Sequence, residues 1–312
     1  MRKILVCLGI ISALLLGGTA HAATFVRIGT GTVGGGFYNA GSTLVSVVNL
    51  AQKDINYTAV TGGSIKNLIS VNKKDVEFGL SLTSTLDEAW KGVQNFPQPL
   101  TNLRYVCAVY PQVAHIIVGP KINSIGDLRG KRVDFGPIGG GIDTNNRLAL
   151  EAYGISESEV KIQRNSRSET AEAFATGATD AQILLTSYPG SAVNDMLQNG
   201  AKLIAVEKEK RDEIVKKYPF YVPWDIPKGT YDGYDKEDLT GYSAFCVMLA
   251  HKDMDPEIVY KTVKLLFENE KMLKERSPAQ FDFFGLKNAM AGRAIPMHPG
   301  AERYFKEVGL LK

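Results

Sequence analysis

Glycine-rich turns carry the first recognisable chemistry in this chain. Gly29, Gly31 and Gly34 match G-x-G-x-x-G between an apolar run and a helical stretch, the spacing that seats a pyrophosphate on a helix N-terminus. A dinucleotide site also needs an acidic residue about 20 positions on, at the end of the next strand. Val60, Thr61, Gly62 and Gly63 stand there instead, so the dinucleotide reading is set aside. Its underlying mechanism stands. Gly34, Gly35 and Gly36 let a ligand approach the backbone, and the helix start offers free N–H groups and the positive end of its dipole to an anion. Phe37 and Tyr38 form a wall beside it.

The same arrangement recurs. Thr61-Gly62-Gly63-Ser64 lies where a second strand gives way to a helix; Ser64 suits an N-cap, and the Thr61 hydroxyl and nearby N–H groups suit a carboxylate. Thr83, Ser84 and Thr85 follow a third strand. Three strand ends of one sheet bearing small hydroxyl residues point to the lining of a polar cleft. In the second half of the chain, Gly139, Gly140 and Gly141 precede Ile142-Asp143-Thr144-Asn145, and Thr186-Ser187-Tyr188 follows a further strand. Arg147 lies in the first turn of its helix, where it could face the cleft; a solvated arginine is the expected reading.

Catalytic patterns are missing from the sequence. It contains no H-E-x-x-H, no G-x-S-x-G and no P-loop lysine. Beyond residue 22 the histidines are His115, His251 and His298, each isolated; His298 reads as packing or capping near a turn. Neither a metal site nor a cofactor is expected.

These residues need a scaffold, and the hydropathy pattern supplies one. Strand-like runs at residues 25–30, 56–60 and 76–82 alternate with helical stretches at 37–51, 65–72 and the segment through Trp90. Residues 103–110 read as a strand running into Pro111, and 113–118 as another. Strands at 132–135, 160–163, 181–185 and 202–206 alternate with helices at 145–153, 169–175, 188–199 and 208–217. A Pro- and Tyr-rich stretch breaks the rhythm, a strand returns at 243–250, and the C-terminal part is mostly helical. Such alternation predicts parallel sheets with helices on their faces. Ligands of these sheets sit beyond the carboxyl ends of the strands, so a cleft between two α/β halves is expected.

Length and composition agree. Met1, Arg2 and Lys3, an apolar run from Ile4 to Leu16, and Ala20-His21-Ala22 have the form of a secretory signal peptide cleaved after Ala22; the run is too short to span a bilayer, which needs about 20 apolar residues. The remaining 290 or so residues exceed what one core usually serves. The apolar fraction of 44% and charged fraction of 22% are ordinary for a globular protein. The net charge of +3 falls to +1 without Arg2 and Lys3, which argues against a nucleic-acid partner. Cys107 and Cys246 remain, in two apolar runs. An oxidising compartment permits a bridge between them, while free buried cysteine is the alternative.

Taken together, IGTGTVGGGFYNAG, TGGSIKNL, GDLRGKRVDFGPIGGGIDTN, IPKGTYDG and IPMHPGAERYFKEVGLL, in this order and spacing, resemble the TAXI family of extracytoplasmic solute receptors, which serve tripartite ATP-independent periplasmic (TRAP) transporters. The resemblance covers essentially all of the chain after the leader. It implies a two-lobed periplasmic-binding-protein fold of type II, each lobe a mostly parallel sheet flanked by helices, with two crossover strands as hinge. It implies binding without catalysis of a small carboxylate, such as glutamate, a 2-oxoacid or a dicarboxylate, and delivery to a membrane permease driven by an ion gradient. By motif, Gly35, Gly36, Phe37, Tyr38, Gly63, Ser64, Gly140, Gly141, Asp143 and Thr144 would contact the ligand, joined on the residue reading above by Thr61, Thr83, Ser84, Thr186 and Tyr188. The sequence departs from the family in PIGGGIDT, where Asp143 stands where a small residue is usual, and in LTSTLDEAW, which lacks a glutamine–aspartate pair.

The best hinge candidates are residues 103–110 and 242–250. Their pairing in register would bring Cys107 and Cys246 towards bridging distance, with Cα atoms about 5.5 Å apart. The expected division is a leader at 1–22, one lobe of 23–107 plus 246–312, and a second of 108–245. A periplasmic monomer is expected. An exported sensor using the same cleft and an exported hydrolase with a distributed triad are the rival readings.

Overall fold

The computed structural model describes residues 24–33, 35–136, 141–231, 233–234 and 237–312; the leader expected at 1–22 lies outside them, as does Gly140. The strands are β1 (Thr24–Gly29), β2 (Ile55–Val60), β3 (Phe78–Leu82), β4 (Leu103–Val118), β5 (Arg132–Asp134), β6 (Lys161–Gln163), β7 (Ala181–Thr186), β8 (Lys202–Ile204), β9 (Val222–Pro223) and β10 (Tyr242–His251). The helices are α1 (Gly36–Ala51), α2 (Ser64–Asn72), α3 (Thr83–Lys91), α4 (Gly141–Ala152), α5 (Arg167–Ala175), α6 (Ser191–Gln198), α7 (Lys208–Lys217), α8 (Pro256–Glu268), α9 (Glu270–Arg276), α10 (Pro278–Phe281) and α11 (Pro299–Glu307).

The strands form one sheet in the order β2-β1-β3-β10-β4-β7-β5-β6, with β8 on β4 and β9 on β10. β1 runs parallel to β2 and β3, and β5 runs parallel to β6 and β7. Between these parallel sets lie β10, antiparallel to β3 and β4, and β4, antiparallel to β7. Every residue of β10 is buried, as an almost unbroken apolar run requires of a strand covered on both faces.

The break expected at Pro111 does not occur. β4 is one strand of 16 residues, long enough at ~3.3 Å per residue to run from one half of the sheet into the other. Proline removes one ladder donor, and here it does so two residues before the strand acquires a new partner: pairing with β10 ends at Val113, where pairing with β7 begins. Elsewhere the expected elements stand within a few residues, the largest shift being α4, which starts at Gly141.

The buried apolar side chains divide with the sheet. One cluster joins β1–β3, α1, the first half of β4, β10 and the C-terminal helices, through residues such as Ile28, Leu44, Phe78, Tyr105, Val247 and Phe305. Two further clusters pack on opposite faces of the other half, one with Ile116, Val133 and Ile183, the other with Ile117, Leu184 and Met196.

Cys107 and Cys246 are both buried and free, which corrects the bridge raised as one reading above. β4 and β10 do pair, but Cys246 stands opposite Tyr110 and Cys107 opposite Met248, so neither sulfur faces the other across the ladder. Burial pushes the Cys107 thiol up to about 12, and the Cys246 thiol upward as well.

Candidate functional site

The turn after β1 is shaped by glycine. A Cβ on Gly31 would lie 2.8 Å from the Phe37 Cβ, so only glycine lets the chain fold back onto the start of α1. Gly35 N–H then donates to Thr32 O at 2.9 Å, and Gly35 becomes the N-cap of α1 with no side-chain cap and no acid in the first turn. The amides of Gly36, Phe37 and Tyr38 have no acceptor in the helix and none among the other described residues. α2 begins the same way. Gly63, not Ser64, is its N-cap, again without a side-chain cap, and the Ser64 hydroxyl instead accepts from Leu82 N–H at 3.1 Å.

Asn67 holds these two helix starts in place. Fully enclosed, its Nδ2 donates to Thr30 O at 2.8 Å and to Leu80 O at 2.7 Å, pinning α2 to the ends of β1 and β3. Gly62 packs against it so closely that a Cβ would fall 2.1 Å from Asn67 Oδ1.

In the other half, Asp134 is the organiser. Its buried carboxylate accepts from Gly136 N–H at 2.8 Å, Asn165 N–H at 3.2 Å and the Thr170 hydroxyl. These bonds place Asn165 and Ser166 at the start of α5, where Glu169 accepts from Ser166 N–H at 2.7 Å.

Between the halves lies a cavity of about 530 Å³, within the range of small-molecule sites. Gly31, Thr32, Gly35, Gly36, Phe37, Gly62, Gly63, Ser64, Ile65, Lys66 and Leu82 line it from the first half, Ile142, Asn165, Ser166, Gln182 and Leu185 from the second, and Gln112 from β4, the strand that runs between them. Among the described residues of the lining, Lys66 is the one that is charged, and there is no Asp, Glu, His or Cys. Its ammonium rests on Thr61 O at 3.1 Å, beside the free amides of α2. The described residues of the lining present N–H donors and one positive charge, with no carboxylate among them to repel an anion.

Of the sequence-derived candidates, the structure brings Gly35, Gly36, Phe37, Gly63 and Ser64 to this cavity. Phe37 meets Tyr110 edge-on at 6.4 Å. Tyr38 and Thr186 are half-buried outside the lining, Thr61 is exposed at the rim, and Gly141 opens α4.

Others are engaged elsewhere. Thr83 is enclosed, donating to Phe220 O at 2.9 Å and accepting from Phe245 N–H at 3.2 Å. Ser84 and Thr85 are buried outside the cavity lining, their hydroxyls without a partner among the described residues. Asp143 pairs with Arg164 and, at 3.9 Å, with Arg147. Thr144 donates to Glu88 at 3.3 Å. Tyr188 accepts from Trp224 Nε1 at 3.2 Å and packs on Phe283. Arg147 is not solvated: its side chain is 15% exposed and bridges Glu88 at 3.3 Å and Glu157 at 3.4 Å. His298 caps α11, accepting from Gly300 N–H at 3.2 Å. Sequence reasoning missed Lys66, Gln112, Asn165, Ser166 and Gln182. Two signals were present: the S-x-x-E capping box at Ser166 and Glu169, and a glutamine interrupting each of two apolar strands.

Three solved structures share the architecture. The periplasmic aliphatic sulphonate binding protein SsuA from Escherichia coli matches with a TM-score of 0.50 at 15% identity, over 91% of this chain and 84% of that one. A putative periplasmic sulfonate-binding protein from Methylobacillus flagellatus gives 0.51 at 15%, over 93% and 88%. A probable amino-acid ABC transporter extracellular-binding protein from Bacillus subtilis gives 0.50 at 15%, over 84% and 100%. At such identities the likeness is one of fold: the two-lobed periplasmic binding protein, which the family resemblance implied and whose two α/β halves the alternation predicted. Among the described residues, no helix is long and apolar enough to cross a membrane. The sequence itself matches the NMT1-like family over residues 28–309, and the chain belongs to that family.

Proposed function

We propose that this protein is an extracytoplasmic solute receptor of the TAXI type. It binds a small carboxylate, such as an amino acid, a 2-oxoacid or a dicarboxylate, and delivers it to a TRAP permease. Its lobes are residues 23–107 plus 246–312 and residues 108–245, and it works in the periplasm after loss of residues 1–22. The observation that carries the reading is the cavity wall: among its described residues, two helix N-termini without side-chain caps, one lysine and no acidic side chain.

The anion sits on the amides of Gly36, Phe37, Ser64 and Ile65, with Lys66 as counter-charge. Closure about β4 and β10 brings Asn165, Ser166 and Gln182 onto its far side. Binding shifts the molecule from open to closed, and the permease distinguishes the two. The receptor acts without chemistry on the ligand.

The test is a thermal-shift screen of refolded, ligand-stripped protein against carboxylates, amino acids and sulfonates. Melting temperature should climb with the logarithm of concentration for one class of acid. Gly36→Val, whose Cβ would meet the Tyr110 hydroxyl at 2.9 Å and whose methyls enter the cavity, should lose that response. A flat response of the wild type to every acid would refute the reading.

A further inference from the structure

Gln182 is an anomaly in its strand. It lies in β7 beside Ala181 and Ile183, across from Ile117 of β4; it is 2% exposed, yet its Oε1 has no hydrogen-bond partner among the described residues. A buried carbonyl oxygen left unpaired is destabilising, and native structures leave few of them. The same side chain lines the cavity. The terminal torsion of a glutamine is soft and roughly two-fold, so the amide can turn its oxygen towards that space without leaving the strand. On the opposite wall, the first-turn amides of α1 and α2 and Lys66 are donors, beside the Thr32 and Ser64 hydroxyls.

We infer that Gln182 is a specificity residue, accepting a hydrogen bond from the bound solute, and that the cavity selects acids carrying an N–H or O–H donor besides the acid group. The inference rests on the carboxylate reading above and narrows it. An amino or hydroxy acid satisfies both walls. Its analogue with hydrogen or an oxo group at that position leaves Oε1 unpaired.

Binding of matched pairs, malate against succinate, 2-hydroxyglutarate against glutarate and alanine against propionate, is measured by calorimetry on wild type, Gln182→Met and Gln182→Glu. For pairs that bind, the donor-bearing member should bind the wild type about tenfold to a hundredfold more tightly. Gln182→Met should bring that ratio close to one. Its ligand-free melting temperature should be no lower than wild type, because the unpaired oxygen is gone. Gln182→Glu, which keeps an acceptor, should retain a preference for the amino acid.

Acids that bind with no preference within any pair overturn this inference and leave the carboxylate reading intact. A preference that survives in Gln182→Met, or vanishes in Gln182→Glu, also overturns it. If no acid in the panel binds, both fall.

Discussion

Glu88 and Arg147 join the two halves of the molecule through a buried ion pair, and its disruption has a calculable outcome. Glu88 on α3 is 5% exposed. Both terminal nitrogens of Arg147, on α4, lie 3.3 Å from its Oε1, and the Thr144 hydroxyl lies 3.3 Å from Oε2. Burial pushes the Glu88 carboxyl above its ordinary 4.5; the Arg147 guanidinium and the Thr144 hydroxyl pull it down, and Asp143 adds to the rise. Arg147→Met keeps the apolar stem and removes the charge, leaving a carboxylate enclosed without its cation. Breaking a buried pair in this way costs about 3–5 kcal/mol, or roughly 5–8 °C in melting temperature for a chain of this size.

The dependence on pH tests the cause. With its folded value raised, Glu88 contributes stability that is complete below 4.5 and is lost as pH rises through the folded value. Without Arg147 that folded value climbs further, so the loss deepens and extends upward in pH. The penalty of Arg147→Met should therefore be large at pH 8 and shrink to a packing term near pH 4. Glu88→Gln keeps an acceptor for Thr144 and should cost less than Arg147→Met at pH 8, and the double variant should be less damaged than the sum of the two. The assay is thermal unfolding of all four proteins at both pH values. An equal Arg147→Met penalty at pH 4 and pH 8, or strict additivity in the double variant, would refute the reasoning.

Packing elsewhere in the molecule sets three further outcomes. Gly62→Ala forces a Cβ to 2.1 Å from Asn67 Oδ1, whereas a Cβ on Gly63 meets nothing within 4 Å; the first should lower the melting temperature by several degrees and the second leave it unchanged, as measured by circular dichroism. His115 is fully buried, bonded to Val113 O at 3.0 Å and to the Tyr231 hydroxyl at 2.7 Å. Burial lowers it to about 4 from 6.5, so its contribution is complete above 6.5 and lost as pH falls towards 4. Because Glu88 acts in the opposite sense over part of this range, melting curves should reveal the His115 limb most clearly in Glu88→Gln and lose it in Glu88→Gln/His115→Phe. With Cys107 and Cys246 free and buried, thiol reagent should find no reactive group in the native protein lacking residues 1–22, and with them Cys7, and both after unreduced denaturation; reductant should not shift the melting temperature.

What could be read from the sequence is what depends on neighbours along the chain. A glycine at position 31 answers to Phe37, six residues away, so the turn and the helix start after it show in one short window. The apolar run of β10 likewise declares its two-sided burial by itself. The hydroxyls at 83–85 misled because the signal was local while the outcome was not. Residues 30–35 separate β1 from α1, and 61–63 separate β2 from α2, but β3 passes into α3 with no residue between Leu82 and Thr83. With no turn to hold them at the strand ends, Thr83, Ser84 and Thr85 become the first turn of a helix and are enclosed by it. Arg147 and Glu88 are 59 residues apart, and no periodicity within either helix reports that they meet. Gln112 and Gln182 belong to the same class, since their place at one cavity depends on the register of β4 against β7. Yet each had a visible cost. An amide inside an apolar strand must find a partner or leave a group unpaired, so a polar residue that breaks such a run identifies where the chain meets something other than its own core.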